Sequence, residues 1–367
     1  MRLMNTDILT LLTKVRDNGL KLICFGAGEQ LHDACKLFDG FGFANSIHRI
    51  IDNNPKQFFY NGLSMKSYFP ESVLDEAEDI IIYLSSKFYP QMYEQLDKHE
   101  ELSGVECYVH DYVMHVPLPH EIPGNKNNKK EIIPKKIHYC WFGDNEIPKQ
   151  NRIWMESWHK YCPDYEITRW DETNYDVSKN DYMHAAYKEK KWAFVSDYAR
   201  LDIVYENGGV YFDNDVEILA PIDTLLFNEA FCGIYSLKGP SFGLGYGSIK
   251  GNELLLELRT EYDRVSFYNP DGSLNLEDCL YYQTLVLKRY GYENINKYQM
   301  IKGMAIYPTD FFAPMDVYCN PLAYTKNTLS VHHFDASWLD SKDRIQRETN
   351  LSEFRKFQMK YPIEETL

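Results

Sequence analysis

The sequence predicts an α/β protein of two domains, a small doubly wound unit followed by a larger one, and three observations carry that reading. Lys21-Leu22-Ile23-Cys24-Phe25 is an apolar strand that runs directly into Gly26-Ala27-Gly28 and a helical stretch. Residues 116 to 136 then lose all apolar period and fill with Pro, Asn, Gly and Lys, as an exposed linker does. Beyond the linker, helical and strand-like stretches alternate again, most clearly where an apolar helix from Ala193 to Tyr205 stops at Asn207-Gly208-Gly209 before Val210-Tyr211-Phe212. These place one domain at 1–120, a linker at 121–135, a second domain at 136–340 and a charged helical extension at 341–367.

The bulk composition fits. At 367 residues the chain is long for one domain and comfortable for two, and 44% hydrophobic with 15% aromatic content fills two cores. A formal charge of −15 argues against nucleic acid, or an anionic membrane, as a general electrostatic partner. The eight cysteines are scattered without a C-x-x-C pair, which suggests free thiols in a reducing compartment. Arg2, Asp7, Lys14, Arg16 and Asp17 interrupt the first apolar residues, and no run approaches membrane-spanning length, so a cytoplasmic location is expected.

Taken in order, residues 5 to 18 carry the apolar spacing of an amphipathic helix, and the 21–25 strand with its G-x-G turn opens a Rossmann-like unit. Ile50-Ile51-Asp52 reads as its second strand, ending in an acid at the distance ribose recognition requires, but Leu31 stands where the third glycine of the fingerprint belongs. The segments 79–84 and 105–109 supply further buried strands. After the linker, Lys136 to Gly143 reads as a buried strand entering a glycine turn, with His138 structural and Trp141 either core or a stacking surface at the strand's end. Trp154, Trp158 and Tyr161 belong to a helix packed on the sheet, Tyr165 to Asp171 to a second strand, and Phe231 to Tyr235 to another. Gly239 to Ser248 reads as a glycine-rich loop that a ligand can approach closely, with Glu277, Asp278 and Gln283 as further candidate contacts.

The chemistry concentrates at the end of the 210–212 strand. Strand alternation would put Asp213 and Asp215 on one face, where two carboxylates can hold a hard divalent cation, Mg²⁺ or Mn²⁺, whose other positions go to phosphate oxygens and water. A solvated turn is the alternative for so short a motif in a chain of 54 acidic residues. Asp197 and Arg200, three apart on the preceding helix, either form a surface ion pair or contact ribose and phosphate oxygens.

The series Ser196-Asp197-x-x-Arg200, Gly208-Gly209 and Asp213-Asn214-Asp215 resembles the sugar-binding region of glycosyltransferase family 32, and more distantly the glucosyltransferase domain of large clostridial toxins. The similarity extends from Ile133 to Trp338, roughly the C-terminal two thirds, and leaves out residues 1 to about 120. It implies a GT-A type glycosyltransferase domain, preceded here by the small Rossmann-like doubly wound α/β domain. It further implies a metal-dependent retaining transferase that moves a sugar from a nucleotide-sugar, a UDP-sugar or GDP-mannose, to a saccharide or lipid-linked glycan acceptor in surface polysaccharide synthesis. Peripheral membrane association stays open.

By the same resemblance Asp213 and Asp215 bind Mn²⁺ or Mg²⁺ with His332 nearby, Asp197 and Arg200 position ribose and donor sugar, Trp141 stacks on the base, and Ser337 and Trp338 contact the diphosphate. Adjacent His332 and His333 on a strand point to opposite faces, so one at most joins a site made by the other. Two alternatives remain: a transferase acting on protein, and a saccharide-binding module without catalysis.

Overall fold

The computed structural model describes residues 1–76, 78–122, 130–236, 239–316, 318, 320–336 and 341–365. The chain divides into two compact units, one of residues 1–118 with 348–367 and one of residues 119–347. Among the described residues no helix is long and apolar enough to cross a membrane.

The first unit is built on an eight-stranded sheet. From the strand Lys21–Phe25 the chain adds Ile47–Ile51 and Leu63–Tyr68 on one side, then returns to add Ile80–Leu84 and Glu106–Val109 on the other. All of these pair in parallel, and only the Gln57–Tyr60 hairpin strand runs against its neighbour. The reversal of direction puts Gly26-Ala27-Gly28 at the switch point of a doubly wound sheet. Gly26 has φ +107°, and a Cβ there would stand 2.9 Å from the Ser85 carbonyl oxygen, so only glycine serves. Asp52 does not face outward for a ribose. Its two oxygens accept from the amides of Ala27 and Asn54, each at 2.8 Å, and so tie the turn to the next strand.

The C-terminal segment differs from the expected bare helical extension. It is a helix over Ser341–Lys360 followed by the strand Glu364–Glu365, which pairs in parallel with Arg2–Asn5 at the sheet edge. Phe354 packs on Tyr89 and Phe357 on Tyr89 and Tyr93, with ring centres 5.4 to 5.5 Å apart. These two aromatic residues, with the buried Leu351, attach a largely polar helix to the core.

The second unit holds a seven-stranded sheet in the order Gln299–Ile301, Met304–Tyr307, Ala230–Ser236, Gly239–Ser248, Gly209–Tyr211, Lys136–Cys140, Glu166–Trp170. The last three run in parallel, and the long Gly239–Ser248 strand lies antiparallel to both its neighbours. One face packs on the helix Trp192–Asn207 around Tyr198, Leu201, Tyr211 and Tyr246, and the other around Trp158, Val210, Phe212 and Phe231. Trp158 is fully buried, in keeping with a core role.

Residues 239–248, expected as a loop, form a strand of this sheet that is buried at every position. The glycines fit it to crowded surroundings: a Cβ on Gly245 would stand 2.6 Å from Phe212 and one on Gly247 2.5 Å from Phe231. The strand also bulges, because its pairing with Ala230–Ser236 jumps from Tyr246 opposite Cys232 to Ser241 opposite Gly233. Gly245, at φ +135°, supplies the conformation this requires.

Candidate active site

The helix Trp192–Asn207 is buried nearly all round, including Asp197 and Arg200. It ends at Gly208 with φ +65°, and Gly209 follows at φ +112°. A Cβ on Gly209 would meet the Lys136 carbonyl at 2.9 Å and the His138 ring at 3.0 Å, so the sharp return to the sheet depends on glycine. His138 accepts from the Trp170 indole at 3.2 Å, and its Nε2 lies 2.9 Å from the Gly208 carbonyl, which makes it a brace for this turn. Its role is structural, as expected.

Asp213 and Asp215 do not lie on a strand. They sit in a turn, closed by the Val216 amide donating to the Asp213 carbonyl at 3.1 Å, between Gly209–Tyr211 and the strand Val216–Ile218 of a separate two-stranded sheet. The partner in that sheet is Ser330–His332, with His332 opposite Val216. A turn, and not alternation, brings the two carboxylates together, and the short ladder adds His332 from more than a hundred residues away.

The resulting cluster is tight: ligand atoms of Asp213, Asp215 and His332 all lie within 4.8 Å of one another. His332 Nε2 stands 3.1 Å from Asp215 and 4.0 Å from Asp213. Asp215 is fixed further by its carboxylate accepting the Asp335 amide at 3.0 Å and its carbonyl accepting the His333 amide at 2.9 Å. Burial opposes ionisation of Asp215, but the His332 ring and the Asp335 amide outweigh it, and its pKa falls below the ordinary carboxylate value.

The oxygen-rich donor set suits Mg²⁺ or Mn²⁺. The two carboxylates are ligands of the type such an ion takes. His332 fits it on one condition: its Nδ1 accepts the Phe334 amide at 3.1 Å, so the neutral ring carries its proton on Nε2 and donates to Asp215. Ligation through Nε2 requires that proton to move and the Phe334 contact to break. Burial lowers the pKa of the ring, while Asp215 and Asp213 together raise it by more, so the net shift is upward.

Behind the carboxylates lies a buried ionic chain. Arg200 donates through Nη2 to Asp197 at 2.9 Å and stands 3.5 Å from Asp213 through Nη1, while its Nε donates to the Ser196 carbonyl. Asp197 and Arg200 thus form an interior pair, with side chains 8% and 6% exposed, which removes the surface ion pair reading. Burial pushes Asp197 up to about 6, with Arg200 opposing and Asp213 and Asp278 adding to the shift. Tyr211 donates to Asp213 at 3.0 Å, and the Gly243 carbonyl accepts the Asp213 amide at 3.1 Å.

Asp197, Arg200, Asp213, Asp215 and His332 line one cavity of about 760 Å³, together with Trp141, Trp192, Phe194, Tyr235, Asp278 and Phe334. Trp141 is half-buried and donates to the Asn145 carbonyl at 2.6 Å, which fixes its ring at the wall. Ser337 and Trp338 lie outside the described residues. His333 points away from the cluster: it stacks on Trp154 at 4.0 Å and bonds Glu217 at 2.9 Å. Asp278 lines the cavity while capping the helix Cys279–Lys288, whereas Glu277 is exposed off the cavity and Gln283 is buried away from it.

Sequence reasoning missed Tyr211, Gly243, Asn151, Arg344 and Arg347. Asn151 is wholly buried and donates to Asn214, the middle residue of the turn, at 2.8 Å. Alternation of glycine with large residues in Gly243-Leu244-Gly245-Tyr246-Gly247 was a usable strand signal. Arg344 and Arg347, three apart at the start of a helix, carry the spacing of one helical face.

Residues 148–232, which hold the helix, the glycine turn and both aspartates, match the family described as glycosyltransferase sugar-binding region containing DXD motif. The chain is also similar to inositol phosphoceramide mannosyltransferase 3 of Schizosaccharomyces pombe, at 32% identity over 149 residues. That alignment covers 38% of this chain and 40% of the relative, so the chain spans well under half of the curated protein it matches. Among solved structures, the PaToxG glycosyltransferase superposes with a TM-score of 0.34 at 17% identity, over 43% of this chain and 68% of that one. A glycosyltransferase involved in glycosylation of the major capsid of PBCV-1 superposes with a TM-score of 0.33 at 12% identity, over 60% of this chain and all of that one. The α/β assignment of both units rests on their own sheets.

Proposed function

We propose that the second unit is a metal-dependent, retaining glycosyltransferase of GT-A type that moves a sugar from a nucleotide-sugar to a hydroxyl of a saccharide or lipid-linked glycan. The observation that carries this reading is the Asp213, Asp215 and His332 cluster at one cavity with the buried Asp197 and Arg200 pair, inside the stretch that matches the DXD family. Asp213 and Asp215 would hold Mn²⁺ or Mg²⁺, which supplies charge stabilisation for a departing diphosphate. Trp141 offers a flat wall for the base. Asp197, ionised above about pH 6, accepts from sugar hydroxyls, and Arg200 keeps it and Asp213 in place.

No carboxylate is assigned as a covalent nucleophile. The acceptor hydroxyl attacks on the face the diphosphate leaves, with the leaving phosphate oxygen taking its proton. Mass-spectrometric capture of a glycosylated Asp197 or Asp278 would replace that reading with a two-step mechanism. The relative's name supports mannose as the transferred sugar and a lipid-linked acceptor, so GDP-mannose stands beside UDP-sugars, in cytoplasmic synthesis of a surface glycan at or near a membrane. The first unit, with Asp52 engaged by its own turn, is given a docking role and no nucleotide.

The test is release of free nucleoside diphosphate from a panel of UDP- and GDP-sugars with Mn²⁺, beside Asp215→Ala. Metal-dependent hydrolysis of one donor, absent from the variant, supports the enzyme and identifies its donor. Affinity for saccharide without any metal-dependent nucleotide binding would favour a binding module instead.

A further inference from the structure

We infer that Arg344 and Arg347, in the first turns of the helix Ser341–Lys360, grip the diphosphate of the donor at the cavity that the Asp213 and Asp215 carboxylates line. The inference rests on the glycosyltransferase reading and adds two residues to it.

Both arginines line the same cavity as Asp213, Asp215 and His332. They are three apart on one helix, hence on one face, at its positive end. Arg347 is half-buried, and its Nη2 donates to the Phe334 carbonyl. The segment it holds is the one that completes the metal cluster: the Phe334 amide donates to His332 and the Asp335 amide to Asp215.

Charge balance then defines the ligand. Glu146, Asp197, Asp213, Asp215 and Asp278 line the cavity, and the chain as a whole carries −15. Arg200 holds Asp197 and Asp213 in the interior. A nucleoside diphosphate entering this field needs cations beyond one divalent ion, and Arg344 and Arg347 are the other guanidiniums of the wall. As the bond from the anomeric carbon to the β-phosphate oxygen breaks, its electron pair goes to that oxygen. The acceptor oxygen bonds to the anomeric carbon, and its proton passes to the departing phosphate. Arginines at the diphosphate stabilise the charge that grows there.

The experiment is titration calorimetry in Mn²⁺ with UDP, GDP, UMP and GMP, on the full chain and on Arg344→Gln, Arg347→Gln, Arg347→Lys and the double Gln variant, with thermal melts alongside. The chain should prefer a diphosphate to its monophosphate. Each Gln variant should lose about tenfold in diphosphate affinity, with monophosphate affinity little changed, and Arg347→Lys should recover part of the loss. A folded Arg344→Gln variant that keeps diphosphate affinity within about twofold overturns the inference even where Arg347 variants unfold. A chain that binds neither diphosphate overturns the glycosyltransferase reading first, a result visible before any variant is made.

Discussion

Gly243→Ala tests whether the bulged strand sets the position of Asp213. Gly243 does not need a positive φ, so alanine meets no backbone penalty. The strain is local: the new Cβ would lie 2.1 Å from Asp213 Oδ2 and 3.0 Å from Arg200 Nη1. Restoring an ordinary contact of 3.4 Å displaces the carboxylate oxygen by about 1.3 Å, the difference between the two distances. The oxygen ends a short side chain that is 29% exposed, so it can move while the strand stays. Overpacking of this kind costs about 1 to 3 kcal/mol of stability. A displacement of about 1 Å at a reacting centre costs on the order of 100-fold in rate.

The assay is Mn²⁺ affinity and donor hydrolysis beside a thermal melt, with Gly247→Ala as the control. A Cβ on Gly247 would strike the Phe231 ring at 2.5 Å and touch no cluster atom, so that variant should lose stability and keep its metal affinity. A folded Gly243→Ala with unchanged metal affinity and turnover would refute the argument that this glycine places Asp213.

The remaining predictions concern charge. Asp215→Asn should abolish stabilisation by Mn²⁺, which for the native chain amounts to about 2.7 kcal/mol at a hundredfold excess over Kd, and differential scanning with and without the ion measures it. Arg200→Met leaves Asp197 buried without its cation and should destabilise the second unit by about 3 to 5 kcal/mol, lowering its Tm by about 10 °C or more; a shift under about 2 °C would show that water replaces the cation. Donor affinity should rise with pH through about 6 as Asp197 ionises, and the limb should vanish in Asp197→Asn. The folded state holds a proton on Asp197 that an ordinary aspartate, near 3.8, has lost, so this group's contribution to stability should fall as pH rises from about 4 to 6 and be flat above, which urea titrations across that range would read.

The parts of the site that were legible before the structure are those that sit within one stretch of chain. The Gly208-Gly209 stop and the Asp197 and Arg200 spacing are local, and local rules read them. Alternation would set Asp213 and Asp215 on one face of a strand, whereas the structure brings them together in a turn between two sheets. The strand Gly239–Ser248 was hidden because its glycines suggest a loop, while the reason for them, aromatic rings and Asp213 pressed against its backbone, is tertiary. Arg344 and Arg347 look like any solvated charge until the helix is seen at the cavity wall. In the first unit the strand and turn at 21–28 were plain, whereas the two amides that occupy Asp52 belong to a geometry no spacing conveys.

The two-stranded ladder that brings His332 to the aspartates has a consequence for exchange with solvent. It contains three residue pairs and stands outside the seven-stranded sheet. So short a ladder should open as its own cooperative unit, on a faster clock than the buried strands beside it. The amides of His333 and Asp335, both held by Asp215, report that clock directly. In hydrogen exchange they should label early in the free protein and late once an ion and a diphosphate join the two strands, while the amide of Tyr246, in the centre of the large sheet, keeps one lifetime throughout.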